Sequence, residues 1–184
     1  NIARELHHPI TAAVRRNNLA GARIGLGEFA AAEAELRELI AELGDTPLLM
    51  ETYRFYAEAL LGQGKVAEAW LAAQRALAMA QAAKQKDALC CIWRVLGEIV
   101  STEKLEPNPI ATPIPSPPDC FTESARLSAE TGMDSERAWT LFAWARYELE
   151  HGDNARGERM QREAAEIAAR LGLAIECPEK DPQS

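Results

Sequence analysis

Apolar residues recur at helical spacing along most of the chain, and small residues mark the positions where two helices would cross. In three segments a large and a small residue are followed, seven to eight positions later, by a glycine, and another small residue lies five positions beyond it. The pairs are Leu19-Ala20, Tyr56-Ala57 and Trp144-Ala145, and the glycines are Gly27, Gly64 and Gly152. Because glycine ends a helix in the left-handed conformation at little steric cost, each segment predicts an antiparallel helix pair joined by a tight turn.

A fourth unit begins at Trp93, where residues 93–100 read W-x2-L-G-x2-V. This run resembles the first helix of the tetratricopeptide repeat (TPR), whose pattern is W-x2-L-G-x2-Y, and departs from it at Val100, where the family prefers an aromatic residue. The resemblance implies an all-α, right-handed superhelix of antiparallel helix pairs. Gly27 and Gly64 lie 37 positions apart, which is longer than a standard TPR. This length is similar to that of TPR-like arrays in large bacterial regulators such as STAND ATPases, cyclases and maltose-regulon-activator-like proteins.

The resemblance implies about four repeats within one TPR-like domain, residues 1–173. The repeats are expected at about 9–44, 46–84, 87–131 and 133–172. Residues 1–8 are expected to end a helix of a preceding repeat, with Pro9 opening the next helix, so that the chain would be a fragment with at least one repeat upstream. Residues 174–184 lose the periodicity and are expected to form a C-terminal tail.

A proline-rich insertion loop, residues 104–119, interrupts the third repeat between a helix expected at about 87–103 and another at about 119–131. Six prolines in this stretch argue against helix and favour extended or polyproline-II conformation. Asp119 is the expected N-cap of the next helix. The stretch is either a passive, semi-rigid insertion or, through Pro115-x-x-Pro118, a ligand for a proline-reading domain.

The composition of the chain limits which partners and which cellular compartment we expect. The net charge is −8 and no basic stripe is present, so we expect neither nucleic-acid nor membrane partners. No apolar run approaches the ~18 residues of a membrane span. The four cysteines form no C-x-x-C motif and have no zinc spacing, and Cys90 and Cys91 are adjacent and cannot easily pair. Reduced, mostly buried thiols in a cytoplasmic protein are therefore expected.

Sequence motifs that would indicate catalysis, metal binding or cofactor binding are weak in this chain. We therefore predict no catalytic residue, no metal site and no cofactor. His7 and His8 are expected to be a solvated pair at a turn. Residues 62–65 read Gly-Gln-Gly-Lys but lack the strand and the Ser/Thr of a phosphate-binding loop. The many carboxylates alternate with apolar positions, as on solvated helix faces. The fragment itself is thus not expected to be an enzyme.

The resemblance also implies a concave groove lined by the first helix of each repeat. In the family, the positions three before and one after the small residue point into this groove. The candidate partner-binding residues are Asn17, Arg54, Phe55, Arg94, Phe142 and Arg146. Asn17, Arg54 and Arg94 could hold an acidic peptide through charge-assisted hydrogen bonds, with Phe55 and Phe142 as the most exposed aromatic residues. Alternatively, Glu58 and Glu98, each four positions after an arginine, neutralise these charges within their own helices.

The function expected from these features is a non-catalytic, protein-binding or regulatory module. The resemblance implies that it forms the C-terminal part of a larger bacterial signalling or transcription-control protein. Its expected partners are a protein or peptide, with an acidic one as an option, the upstream domains of the parent chain, and a second copy in a homodimer. One alternative is a superhelix that senses a small molecule, which predicts a deep, partly apolar pocket with converging polar groups. Another is a fragment of a multidomain ATPase or nucleotide cyclase whose catalytic site lies upstream.

Overall fold

The described part of the computed structural model covers residues 2–44, 46, 49–102 and 114–173, with the backbone alone for residues 2–10. Within these residues the chain is all-helical and contains no β-strand, which confirms the expected all-α class. The helices are α1 (Ile2–Gly25), α2 (Phe29–Leu43), α3 (Met50–Gly62), α4 (Val66–Ala83), α5 (Lys86–Val100), α6 (Pro117–Thr131), α7 (Asp134–His151) and α8 (Asn154–Leu171).

The helices pack as four consecutive pairs. Each odd-numbered helix packs against the even-numbered helix that follows it, and each even-numbered helix also packs against the next odd-numbered one. In addition, α1 contacts α3, α3 contacts α5, and α5 contacts α7. The odd-numbered helices therefore form a continuous row in which each member touches the next. The largest apolar cluster lies at the centre of this arrangement and joins α3, α4 and α5 with Cys120 of α6.

Small residues lie where the paired helices approach each other, as the sequence pattern predicts. The small residues of all three glycine-marked segments are buried: Ala20, Ala57 and Ala145 on the first helices, and Ala32, Ala69 and Gly157 on the second. In the α5–α6 pair the equivalent position is Gly97. A Cβ atom added to it would lie 2.5 Å from Cε1 of the buried Phe121 ring. The close approach of α6 thus requires the absence of a side chain at this position.

The turn glycines have the predicted left-handed conformation in two of the glycine-marked helix pairs and a different one in the third. Gly27 and Gly64 have φ angles of +75° and +73°, which confirms the predicted left-handed helix ends. Gly152 has φ −142°, so the prediction is wrong there. A Cβ atom on Gly152 would lie 2.6 Å from Oε2 of Glu148, whose carboxylate also accepts a hydrogen bond from the backbone N–H of Asp153. Glycine at this turn leaves the space that the Glu148 carboxylate occupies.

The N-terminal boundary also differs from the expected one. The backbone of Ile2–Gly25 is a single helix that continues through Pro9, so residues 2–8 do not belong to a separate helix that ends before this proline. Proline already has a helical φ angle, and its interior position costs the hydrogen bond that its missing N–H would have made. The side chains of His7 and His8, like residue 1, lie outside the described part of the chain.

The proline-rich insertion ends earlier in the sequence than expected, because α6 begins at Pro117 and not at Asp119. Ser116 is the N-cap: its Oγ accepts a hydrogen bond of 3.3 Å from the backbone N–H of Asp119 and donates one of 2.6 Å to the Asp119 carboxylate. Pro117 and Pro118 occupy the first turn, where a missing N–H costs nothing. Residues 103–113 of the insertion and the expected tail, residues 174–184, lie outside the described residues.

Candidate functional site

The six candidate residues lie on the row of odd-numbered helices. Asn17 belongs to α1, Arg54 and Phe55 to α3, Arg94 to α5, and Phe142 and Arg146 to α7. The structure joins Arg54 and Arg94 through the shared carboxylate of Glu58, whereas the candidate residues on α1 and α7 remain outside that connection. Asn17 is buried, and its Oδ1 has no hydrogen-bond partner among the described residues.

A central ion network connects α3, α5 and α7. Its members are Glu51, Arg54 and Glu58 on α3, Arg94 and Glu98 on α5, and Glu136 on α7. Arg54 donates to Glu51 at 2.7 Å and to Glu58 at 3.2 Å. Arg94 donates to Glu58 at 2.7 Å, to Glu136 at 2.6 Å and to Glu98 at 3.3 Å. Glu58 therefore bridges the two arginines, and Arg94 bridges three helices.

Burial and the neighbouring arginines shift the pKa values of Glu58 and Glu98 in opposite directions. Burial raises the pKa of the Glu58 carboxyl, but the guanidinium groups of Arg54 and Arg94 more than offset this, so the pKa is lowered overall. Burial also raises the pKa of Glu98, and here Arg94 does not fully offset it because Glu58 and Glu136 repel the charged form. The network is thus held ionised at Glu58, whose carboxylate contacts both arginines, and less firmly at its Glu98 end.

The network contains both pairs that the sequence offered as the alternative to a peptide site. Arg54–Glu58 and Arg94–Glu98 are ion pairs within single helices. Sequence reasoning missed Glu51 and Glu136, of which Glu51 was readable from its position three residues before Arg54. Glu136 gave no such signal, since it reaches Arg94 only because α7 packs on α5. An acidic ligand would have to displace these carboxylates to reach either arginine.

Neither candidate phenylalanine is the exposed aromatic residue that was expected. Phe55 is half-buried, and its ring lies under the Arg54 guanidinium, with 3.8 Å between the Cζ atom and the ring centroid. Phe142 is also half-buried and packs against the cluster between α7 and α8. Trp139 is the exposed large aromatic residue of α7, with 43 % of its surface accessible.

Trp139, Phe142 and Arg146 together form what we call the α7 surface. Their spacing of three and then four residues places them on one face of the helix. Arg146 is exposed and makes no hydrogen bond or ion pair with the described residues, although its charge acts on Glu98. The α7 surface therefore combines an exposed indole with a guanidinium that no carboxylate neutralises at contact distance.

A cavity of about 510 Å³ lies away from the candidate residues, between α4, α5 and the segment before α6. Its walls include the indoles of Trp70 and Trp93, the side chain of Leu77, and Pro115. The amides of Gln74 and Gln81 also line it, and neither forms a hydrogen bond with the described residues. The cavity is thus partly apolar with polar groups at its wall.

The described residues contain no group of three or more His, Cys, Asp or Glu side chains placed to hold a metal ion. Cys90, Cys91 and Cys120 are free and buried, as expected for the cysteines, while Cys177 lies outside the described residues. None of the helices in the described ranges is long and apolar enough to cross a membrane.

Comparisons of the chain with protein-family models and with curated proteins found no match. The resemblance to the TPR family therefore rests on the motifs along the sequence.

Proposed function

We propose that this chain is a non-catalytic, protein-binding module with a TPR-like superhelical arrangement, and that its partner contacts the α7 surface. The pairwise packing of successive helices supports the arrangement, because each pair buries its apolar face mainly against its neighbours. The small residues at equivalent helix crossings give further support. In such an array the row of odd-numbered helices forms the face that partners approach.

The observation that carries the proposal is the position of the exposed Trp139 in line with Arg146. Tryptophan and arginine are the residues most enriched where protein interfaces concentrate their binding energy. The indole offers a large apolar surface, and the half-buried Phe142 between the two residues extends it. Arg146 can pair with a carboxylate of the partner without first losing an ion pair to any of the described residues. We infer a partner segment that carries an apolar side chain and, about one helical turn or more away, an acidic group.

The central ion network is a poor contact point for such a partner. The side chains of Arg54 and Arg94 are 10 % and 12 % exposed, and each is already bonded to two or three glutamates. Replacing these bonds by bonds to a peptide carboxylate would leave buried glutamates without partners, which costs several kcal/mol in buried pairs. The proposal therefore transfers the acidic-peptide contact from Arg54 and Arg94 to Arg146.

Selection of peptides from a displayed random library against the purified chain tests this proposal. We expect selected peptides to combine an aromatic or aliphatic residue with Asp or Glu. Trp139→Ala and Arg146→Glu should each weaken their binding by about 10-fold or more, the effect of removing an interface anchor. Isothermal titration of one selected peptide gives the affinities.

Two exposed residues elsewhere provide matched controls. Arg159→Glu reverses a charge on α8, and Leu71→Ala truncates a large apolar side chain on α4 that is 66 % exposed. Both should bind the selected peptide as the original protein does. If Trp139→Ala and Arg146→Glu do the same, the partner does not use the α7 surface.

The regulatory context is part of the same proposal. Binding at α7 would change how the array packs against other domains of a larger, cytoplasmic bacterial regulator. A second copy of the chain could be such a partner, since the α7 surface and the α1 side chains of Val14 and Leu19 are both exposed.

The cavity between α4 and α5 favours a second candidate function, the binding of a small molecule. Two indoles and two glutamine amides suit a flat, uncharged ligand with hydrogen-bonding groups at its edge. We expect aromatic fragments screened by ligand-observed NMR to bind there. The variant Ala78→Trp, which places an indole in the cavity wall, should abolish this binding, whereas Ala155→Trp on the exposed start of α8 should not. Fragments that bind both variants equally would exclude this candidate.

A further inference from the structure

Three sulfur atoms meet at the junction of α5 with the turn between α6 and α7. The Sγ atoms of Cys90 and Cys91 are 4.0 Å apart, and Cys90 Sγ lies 3.6 Å from Sδ of Met133. Both thiols also approach the backbone carbonyl of Asp87, at 2.9 Å and 3.4 Å. The surrounding side chains are apolar, namely Leu89, Trp93 and Leu127.

The backbone around these sulfurs is held in place from outside the cluster. The carbonyl of Cys90 accepts a hydrogen bond of 2.7 Å from the buried hydroxyl of Ser124 on α6. That hydroxyl is in turn 2.8 Å from the hydroxyl of Thr140 on α7. These bonds connect α5, which carries both cysteines, to α6 and α7, whose connecting turn carries Met133, so the donor atoms are pre-positioned by their supporting groups.

We propose that Cys90, Cys91 and Met133 form a three-sulfur site for the soft monovalent cation Cu(I). Thiolate and thioether donors select Cu(I), whereas zinc requires four nitrogen, oxygen or thiolate ligands. A metal–sulfur bond of about 2.3 Å keeps two sulfurs on one ion within about 4.6 Å of each other. The two observed sulfur separations lie within this limit. The site is independent of the α7 surface and adds an activity to the proposed binding function.

Binding replaces two S–H bonds by two Cu–S bonds, releases both protons to solvent and changes no oxidation state. Cys90 Sγ lies within 4.0 Å of both other sulfurs and is therefore the central donor of the three. The filled site carries a charge of −1. The nearby Arg54 guanidinium offsets this charge in part, whereas the carboxylates of Glu136 and Asp87 oppose it. Met133 is only half-buried and therefore gives the ion its route of entry.

The test offers Cu(I), as its complex with bathocuproine disulfonate, to the reduced full chain without oxygen. Cys177→Ser is introduced throughout, because this cysteine lies outside the described residues. We expect the loss of chelator colour to show one Cu(I) per chain. Cys91→Ser should bind about 100-fold more weakly and Met133→Leu about 10-fold more weakly, the range known for changes around metal sites. X-ray absorption should show sulfur donors alone.

Cys120→Ser is the matched control, since burial raises the pKa of this third buried thiol to about 12 and no sulfur contact involves it in the described structure. It should bind Cu(I) as tightly as the starting protein does. Equal affinities of Cys91→Ser, Met133→Leu and Cys120→Ser would overturn the proposal, as would the absence of Cu(I) transfer. Met133→Leu conserves volume and polarity, so this comparison stands even if Cys91→Ser fails to fold.

Discussion

Replacing Arg94 by methionine is expected to destabilise the protein by about 3–5 kcal/mol, the cost of removing one partner from a buried ion pair. Methionine retains most of the apolar stem but leaves Glu58, Glu98 and Glu136 without their common guanidinium. Glu58 keeps Arg54, while the other two carboxylates lose their ion pairs with Arg94. Urea unfolding followed by circular dichroism measures the loss.

The stability of the Arg94→Met protein should also depend on pH in a characteristic direction. Without Arg94, burial raises the folded-state pKa of Glu98 further above its ordinary value of 4.5. A group with a raised folded pKa stabilises the fold below its unfolded pKa and loses that contribution as the pH rises through the folded pKa. In the original protein the lowered pKa of Glu58 has the opposite effect: its contribution is present above pH 4.5 and is lost as the pH falls through the folded pKa. The difference in unfolding free energy should therefore widen from about pH 4 to pH 7.

Arg170→Met provides the comparison for a surface pair. Arg170 binds Asp134 at 2.7 Å, but both side chains are well exposed, so the loss should stay below about 1 kcal/mol and vary little with pH. If Arg94→Met costs no more than Arg170→Met, the central ion network does not contribute to stability as described.

Gly97→Ala is expected to destabilise the protein by about 2–3 kcal/mol, although alanine is the better helix former. The added Cβ would lie between 2.5 and 2.9 Å from three atoms of the Phe121 ring. Phe121 is fully buried and stacks on Trp144, with 6.1 Å between the ring centroids, so it cannot move aside freely. Overpacking of this kind costs about 1–3 kcal/mol, occasionally more. Thermal unfolding should show a midpoint lower by about 5–10 °C for a chain of this size.

Gly25→Ala separates this packing effect from helix propensity. Gly25 ends α1, has an ordinary helical conformation, and has no atom within 4 Å of an added Cβ. Its replacement should be neutral or stabilise by up to about 1 kcal/mol. In addition, Phe121→Leu removes the ring that an added Cβ at position 97 would meet. When the two changes are combined, Gly97→Ala should therefore destabilise the protein by less than it does alone. Additive effects in the double variant would contradict a direct contact between the two positions.

The sequence was sufficient to predict those features of the fold that depend on one residue and its near neighbours in the chain. Gly27 and Gly64 adopt the predicted left-handed conformation because glycine alone does so without strain. The buried Ala20 and Ala57 follow from the need for small residues at a helix crossing. The predicted start of α6 was wrong because the number of prolines was given more weight than their positions relative to the helix start. A proline in the first turn, after a serine cap, is compatible with helix.

The candidate site was less predictable, because it depends on contacts between helices distant in sequence. Arg94–Glu98 could be read from its spacing within one helix, whereas Arg94–Glu136 exists only because α5 packs on α7. For the same reason the exposure of Trp139 was not readable. An aromatic residue at helical spacing is buried or exposed according to whether another helix covers its face.

The central ion network also decides how the helices align along their axes. An alanine-rich surface such as that of α4, which packs against α3 and α5, is smooth and would tolerate a slip of one helix past another. Sliding α5 by one turn, about 5.4 Å, would bring Glu98 to the level that Arg94 now occupies, beside Glu58 and Glu136. Glu98 and Glu136 would then meet Glu58 without the Arg94 guanidinium that now lies between them, and of these three carboxylates Arg54 would pair with Glu58 alone. The alternation of charge therefore selects one register of the row of odd-numbered helices over its neighbours, which apolar packing alone would not distinguish.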